Sequence, residues 1–395
     1  MKDENVTVSP YNFIAENVKN FRLSEQIIVY DSTLRDGEQM PGVSFSPEQK
    51  ICIAKKLDEI GVPEIEAGFP AISKTELNTV KSIVSEGLNA NILVLSRLKK
   101  EDIDAAVSCD ADVVLLFIAS SPIHLKYKLH LSEDEIKRKM IDSIEYARDH
   151  GIIPSFSTED STRTPLLFLK KLVRIAQNVG AKRIGFTDTV GCATPQTIEY
   201  LFSNMKKCIK VPISAHLHND FGLALPNALA ALHVGATHIC TTINGWGERA
   251  GNVSLEQLVV TLKHLYNRDI GIKTDGFYEL SQMVSDFANV RVSPNLPFVG
   301  ENVFTHESGI HTAAVLSNPF TYESLRPETV GNNRKLVLGK HSGHHFIDHK
   351  LQEMNIVPSK EEKQKIASEV KLLGEEKGIV DEDDFLQIVQ RITRS

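Results

Sequence analysis

Short β-rich runs alternate with amphipathic stretches along most of this chain. The runs Ile27–Asp31, Glu64–Gly68, Ile92–Leu95, Val113–Ile118, Pro154–Ser157, Arg183–Thr187, Ile213–His218 and His238–Ile243 predict strands. Helical spacing of apolar residues fills the intervals, at Pro47–Ile60, Glu133–His150, Leu166–Val179, Thr197–Lys207 and Leu223–Val234. Ser132 and Glu135 form a capping box ahead of the second of these helices. Gly61, Gly87, Gly151, Gly180 and Gly235 stand where helices should stop. Eight β/α units in one chain predict an α/β fold of the parallel (β/α)8, or TIM, barrel type. The rival, an open doubly wound sheet, lacks a G-x-G-x-x-G after its first strand.

The pattern changes after about Lys273. Prolines accumulate over Asn289–Lys340, and Pro358–Ser395 reads as two charged amphipathic helices. The expected organisation is an N-terminal extension (1–25), a catalytic barrel (26–285), a linker subdomain contributing to the active site (286–345) and a small helical C-terminal subdomain (346–395).

In a barrel, chemistry sits at the C-terminal strand ends. Polar residues gather there: Arg35, Asp36, Glu66, Arg97, Ser120, Glu159, Asp160, Asp188, Thr189, His216, His218 and Asn244. In an extended strand His216 and His218 point to the same side, making half of a divalent-metal site. Asp36, after the first strand, is the natural carboxylate to complete it. Oxygen and imidazole donors without thiolate leave Mg, Mn or Zn open. The rigid fork of Arg35 suits a carboxylate or an enolate oxygen. Arg97 and Arg163 also fall near strand ends. Thr189 offers a hydroxyl to a substrate carboxylate or a cap to the next helix. Three glycines in Gly245–Asn252 permit a tight loop and close backbone approach. His306 and His311 lie outside the barrel repeats.

Composition narrows the class. The 395 residues carry a net charge of −7, which gives no reason to expect nucleic-acid or membrane-surface binding. No apolar run reaches the roughly 20 residues that span a bilayer. The N-terminus does not read as a secretory signal. Five scattered cysteines without a C-x-x-C pair point to a reducing cytoplasm.

Motifs in order along the chain resemble those of the 2-isopropylmalate synthase/homocitrate synthase family, the metal-dependent Claisen-condensing barrels. They are Asp31–Gln39, Glu66–Pro70, Ser121–Lys128, Asp188–Gly191, His216–Gly222, Asn244–Asn252, His306–His311 and Leu338–Gly343. The resemblance implies condensation of acetyl-CoA, the co-substrate, with a 2-oxo acid, followed by thioester hydrolysis. It implies a divalent metal on Asp36, His216 and His218, with Asn252 as a nearby or additional ligand. Arg35 would stabilise the developing oxyanion, and Gln39, Arg97 and Thr189 would bind substrate. Glu159 would take part in acid/base chemistry. His311 and Tyr322 would come from the post-barrel region, often from the partner subunit of a homodimer. Lyases on the same barrel usually carry a cysteine in the loop corresponding to Gly245–Asn252, which has none here. The opening Val8–Asn12, the length, with no room for a regulatory domain, and Ser121–Lys128 are most similar to the short archaeal type of homocitrate synthase, which also extends longer 2-oxo dicarboxylates. One departure stands out. Lysine-pathway members place a histidine on the third strand to meet the distal carboxylate of 2-oxoglutarate, and here that stretch is Leu93-Val94-Leu95-Ser96-Arg97. 2-Isopropylmalate and citramalate synthesis therefore stand as alternatives.

Overall fold

The structure, a computed structural model, describes residues 4–393; the ends of the expected N-terminal extension (1–3) and helical subdomain (394–395) lie outside the described residues. The strands are β1 (Ile28–Asp31), β2 (Glu64–Gly68), β3 (Asn91–Arg97), β4 (Val113–Ala119), β5 (Ile153–Glu159), β6 (Arg183–Asp188), β7 (Ile213–Leu217) and β8 (His238–Thr241). They close into a parallel barrel in chain order, with β8 pairing back onto β1. The expected α/β barrel is therefore the observed fold, with strand limits shifted by one or two residues at about half of the ends.

Local chemistry accounts for the outer helices. Ser46 caps Pro47–Glu59 in a reciprocal box with Gln49, and Pro47 fills the first turn, where no amide hydrogen is needed. The Ser132–Glu135 box starts Glu133–Asp149 as expected. Leu166–Val179 buries Phe168, Leu169, Leu172, Val173 and Ala176 along one stripe. Gly180 ends it with φ +123°, a conformation that L side chains rarely adopt.

The barrel interior is asymmetric. Tyr30, Leu93, Val113, Leu115 and Cys240 pack as one apolar cluster, with Leu95 against it. The β5–β7 wall carries small residues instead. A Cβ added to Gly185 would collide with Ser157 Oγ and come within 2.9 Å of Ser214 Oγ. At the N-terminal end Arg183 Nη1 donates to Glu64 Oε2 at 2.5 Å, both side chains being buried. Arg183 starts β6 and Glu64 starts β2, four strands away in a ring of eight. The pair therefore bridges opposite walls. Burial, then Arg183, pushes the neighbouring His238 down to about 3, so it is neutral.

Residues 4–9 and 293–393 form a separate compact unit from Pro10–Val292. Its core is Phe346, Ile347, Leu351, Ile366, Val370, Phe385, Ile388 and Val389. These come from helices His344–Glu353, Lys360–Lys377 and Glu382–Thr393. The N-terminal segment joins this unit through a bridge between Val6 and Leu325. Among the described residues no helix is long and apolar enough to cross a membrane.

Candidate metal centre and active site

β1 ends in Asp31, and the chain turns over Ser32–Asp36 at the C-terminal mouth of the barrel. Glu66, inward on β2, takes Arg35 in a two-point clasp, Nε to Oε1 at 2.7 Å and Nη2 to Oε2 at 3.0 Å. That fork fixes the guanidinium plane. The remaining Nη1 donates to Asp36 Oδ2 at 2.6 Å. Asp36 Oδ1 accepts from Asn252 Nδ2 at 3.0 Å and from the Glu248 amide at 3.3 Å. Both donors lie in the glycine-rich loop after β8. Gly247 allows the approach: a Cβ there would collide with Asn252 Nδ2 and stand 2.7 Å from Asp36 Oδ1.

Strand pleating puts His216 and His218 on one side, as their spacing predicts. Their Nε2 atoms are 3.1 Å apart, and His216 Nε2 is 3.4 Å from Asp36 Oδ2. One ligand atom from each of Asp36, His216 and His218 lies within 4.8 Å of the other two. β1 and β7 are brought together because β8 lies between them in the closed ring.

The donor set fits a divalent cation. His216 Nδ1, His218 Nδ1 and Asn252 Oδ1 are buried without a hydrogen-bond partner. A buried acceptor such as Asn252 Oδ1, on the amide whose nitrogen bonds Asp36, is uncommon without a partner. Burial raises the Asp36 carboxyl, but Arg35 and the two histidines override it and hold it well below the usual range. Burial, then His216, pushes His218 down to about 4. At neutral pH Asp36 is anionic and His218 is neutral, the states that metal binding would require. Asn252 presents its amide nitrogen to Asp36, not its oxygen. Half a turn of the amide exchanges the two.

The cluster opens onto a cavity of about 400 Å³, which also reaches Arg35, Gln39, Glu159 and Thr189. Thr189 Oγ1 accepts from the Asp160 amide at 2.8 Å. Glu159 is paired with Lys128 Nζ at 2.6 and 2.9 Å, and His124 Nδ1 stands 3.4 Å away. Lys128 was not singled out by spacing; only its place in the Ser121–Lys128 motif marked it. Ser155, Ser157 and Ser214 also line the cavity and carried no sequence signal beyond inward parity.

Arg97 needs a correction. It does not line this cavity: its guanidinium is clasped by Asp102, Nε to Oδ2 at 2.6 Å and Nη2 to Oδ1 at 3.0 Å. Asp102 lies in the first turn of the following helix, so the side chain folds away from the barrel axis. Other strand-end residues are structural. Arg163 pairs with Asp160, Asp188 accepts from the Cys192 and Ala193 amides, and Asn244 bonds Ser281. In the separate unit, His306 and Arg334 share Glu323, at 3.1 and 2.7 Å. His311 is exposed and its ring lies 3.9 Å from that of Tyr322, centroid to centroid.

Asp31 yields a pH prediction. It is fully buried, and burial outweighs its bonds from Thr33 and Thr241, pushing it up to about 7. The raised value means that protonated Asp31 favours folding below the ordinary value, and this contribution is lost as pH rises to about 7. Asp31→Asn should therefore gain stability relative to wild type between pH 4 and 7, by up to roughly 4 kcal/mol. Melting temperatures of both proteins across that range check it. A parallel pH dependence in the two would refute the assignment.

The HMGL-like family matches residues 26–284, and the homocitrate synthase post-HMGL domain-like family matches 298–378. Among curated proteins, homocitrate synthase AksA of Methanopyrus kandleri is 47% identical over 98% of this chain and 97% of its own. The AksA of Methanothermobacter thermautotrophicus is 49% identical over 98% and 97%. A 2-isopropylmalate synthase of Methanocaldococcus jannaschii is 46% identical over 96% of this chain and 74% of its own. Among solved structures, the HMG-CoA lyase of Bacillus subtilis superposes with a TM-score of 0.63 at 19% identity, covering 69% of this chain and 98% of that one, a likeness of fold alone. On motifs, barrel and relatives together, this chain belongs to the 2-isopropylmalate synthase/homocitrate synthase family of HMGL-like barrel enzymes.

Proposed function

We propose that the protein is a homocitrate synthase, condensing acetyl-CoA with 2-oxoglutarate and hydrolysing the thioester, as a cytoplasmic homodimer. The observation that carries this is the Asp36–His216–His218 cluster at a barrel mouth, in a chain nearly half identical to homocitrate synthases along its length. Asp36, His216 and His218 would hold Mg, Mn or Zn, with Asn252 alongside. A bound divalent ion makes a chelated keto carbon more electrophilic. Arg35, fixed by Glu66, presents a donor beside that locus, where negative charge develops on the former carbonyl oxygen. Thr189 and Gln39 line the space a substrate carboxylate would occupy. Glu159 handles a proton, its carboxylate held in place by Lys128. His311 with Tyr322 is proposed, on the resemblance, to serve removal of the acetyl-CoA methyl proton. The new C–C bond joins that methyl carbon to the keto carbon. Water then cleaves the thioester and releases the CoA thiol.

A second reading has its own support. Leu95, Leu115 and Phe117 give the cavity an apolar wall that suits the branched tail of 2-oxoisovalerate, the 2-isopropylmalate synthase substrate. Thiol release with acetyl-CoA and 2-oxoglutarate, 2-oxoisovalerate or pyruvate separates the cases. The highest kcat/KM is expected for 2-oxoglutarate, and dominance of 2-oxoisovalerate would overturn this choice. Sedimentation of the purified protein tests the dimer.

A further inference from the structure

We propose that His124 is a proton relay for the active site, taking a proton from Glu159 and passing it to solvent. This deepens the reading above and rests on it for the part played by Glu159. The reaction leaves a proton behind. The methyl proton ends on the new alcohol oxygen, and one proton of the attacking water ends on the thiol. The other water proton is shed by the new carboxyl, whose ordinary value of about 4 leaves it ionised at neutral pH. Glu159 lines the cavity and can take that proton, but it must lose it before the next turnover.

The groups around Glu159 form a path for it. After β4, the short helix Pro122–His124 runs into a π-turn over Leu125–Leu129, a form frequent at functional sites. The four-residue spacing aims His124 and Lys128 at one carboxylate. Lys128 holds both Glu159 oxygens and lines the cavity, whereas His124 does not line it. His124 Nδ1 is buried, 3.4 Å from Glu159 Oε1, and no hydrogen bond satisfies it. A proton on Oε1 supplies the missing partner. From the same ring, Nε2 is 3.9 Å from Asp160 Oδ2. Glu159 and Asp160 are consecutive, and consecutive residues of an extended strand point to opposite sides. Asp160 escapes that rule through a left-handed backbone, φ +62° and ψ +41°, uncommon for a residue other than glycine. Its amide donates to Thr187 Oγ1 and Thr189 Oγ1 at 2.9 and 2.8 Å, and its carboxylate accepts from Arg163 Nε at 2.9 Å. The ring is thus flanked by two carboxylates, each already paired with a cation. In the relay the Oε1–H bond of Glu159 breaks and an Nδ1–H bond forms. The imidazolium, beside buried Asp160, then gives a proton to water, which its 19% side-chain exposure allows, and the ring is neutral again.

The test assays His124→Ala and His124→Gln for thiol release with acetyl-CoA and 2-oxoglutarate. Glutamine keeps a donor to a carboxylate but cannot pass a proton on. Both variants should lose about 100-fold in kcat, the lower end of general acid–base effects, with KM for the 2-oxo acid unchanged. Free imidazole should restore His124→Ala in proportion to its concentration, a rescue that lost packing would not show. Wild-type kcat in either variant, a loss confined to KM, or a loss in His124→Ala that imidazole does not relieve overturns the proposal. If the alanine variant does not fold, the kcat of the glutamine variant decides. Glu159→Gln separates the relay from the reading it rests on. If that variant turns over like wild type, Glu159 has no part in the chemistry and the relay falls with it. If it is impaired while the His124 variants are not, the relay alone falls. Should wild type turn over none of the three 2-oxo acids, the functional reading fails, and an NMR titration of the His124 ring still decides its coupling to the two carboxylates. The titration should move in Glu159→Gln and in Asp160→Asn; a titration unmoved in either one overturns the proposal.

Discussion

Replacing His218 by alanine is expected to lower kcat/KM by about 10³-fold or more while the barrel stays folded. The loss follows from geometry. His218 Nε2 faces His216 Nε2 at 3.1 Å, within the same small locus as Asp36. If the proposed ligand set is right, removing it leaves Asp36 and His216, and a metal polarising a carbonyl is worth several kcal/mol in such a site. The fold should survive, because His218 follows the last residue of β7 and its Nδ1 has no partner to lose. Three measurements check this together: divalent-metal titration by calorimetry, CoA thiol release, and the circular dichroism melt. Wild-type metal affinity and turnover would show that His218 is not a ligand. Unfolding would show that the cluster is structural.

The second large effect concerns stability. Arg183→Leu should destabilise the barrel by about 3–5 kcal/mol, because it leaves Glu64 buried without its cation. Neighbouring His238 offers little compensation: its Nε2 is 3.9 Å from Glu64, and it is held neutral by burial. The melt should fall by roughly 6–20 °C, at about 2–4 °C per kcal/mol. Pairing with Glu64→Gln should recover most of the loss, since a neutral pair leaves no isolated charge. If the single variant melts like wild type, the bridge across the floor contributes nothing. If the double variant melts like the single one, the loss comes from packing and not from charge.

These two sites differ in how far the chain announces them. The β/α period was legible because apolar spacing is a local property. Leu166–Val179 reads as a helix from its own residues, and the Ser132–Glu135 box marks a start within one turn. His216 and His218 were legible for the same reason, since the pleat alone puts alternate residues on one side. Arg97 shows the limit. Strand-end position marks it as a site residue, yet Asp102, five residues on, captures it. Position along a strand does not state which of two polar neighbours a long side chain will choose.

By itself, then, the sequence determined the repeating units, their order, and the two imidazoles on a common side, because each depends on residues within a turn or a strand. Only the tertiary structure decided that Asp36 meets them, that Glu66 clasps Arg35, that Lys128 pairs with Glu159, and that Arg183 reaches Glu64. The physical reason is closure. Joining β8 to β1 sets distances between residues more than two hundred positions apart, and those distances, not local preference, make the site.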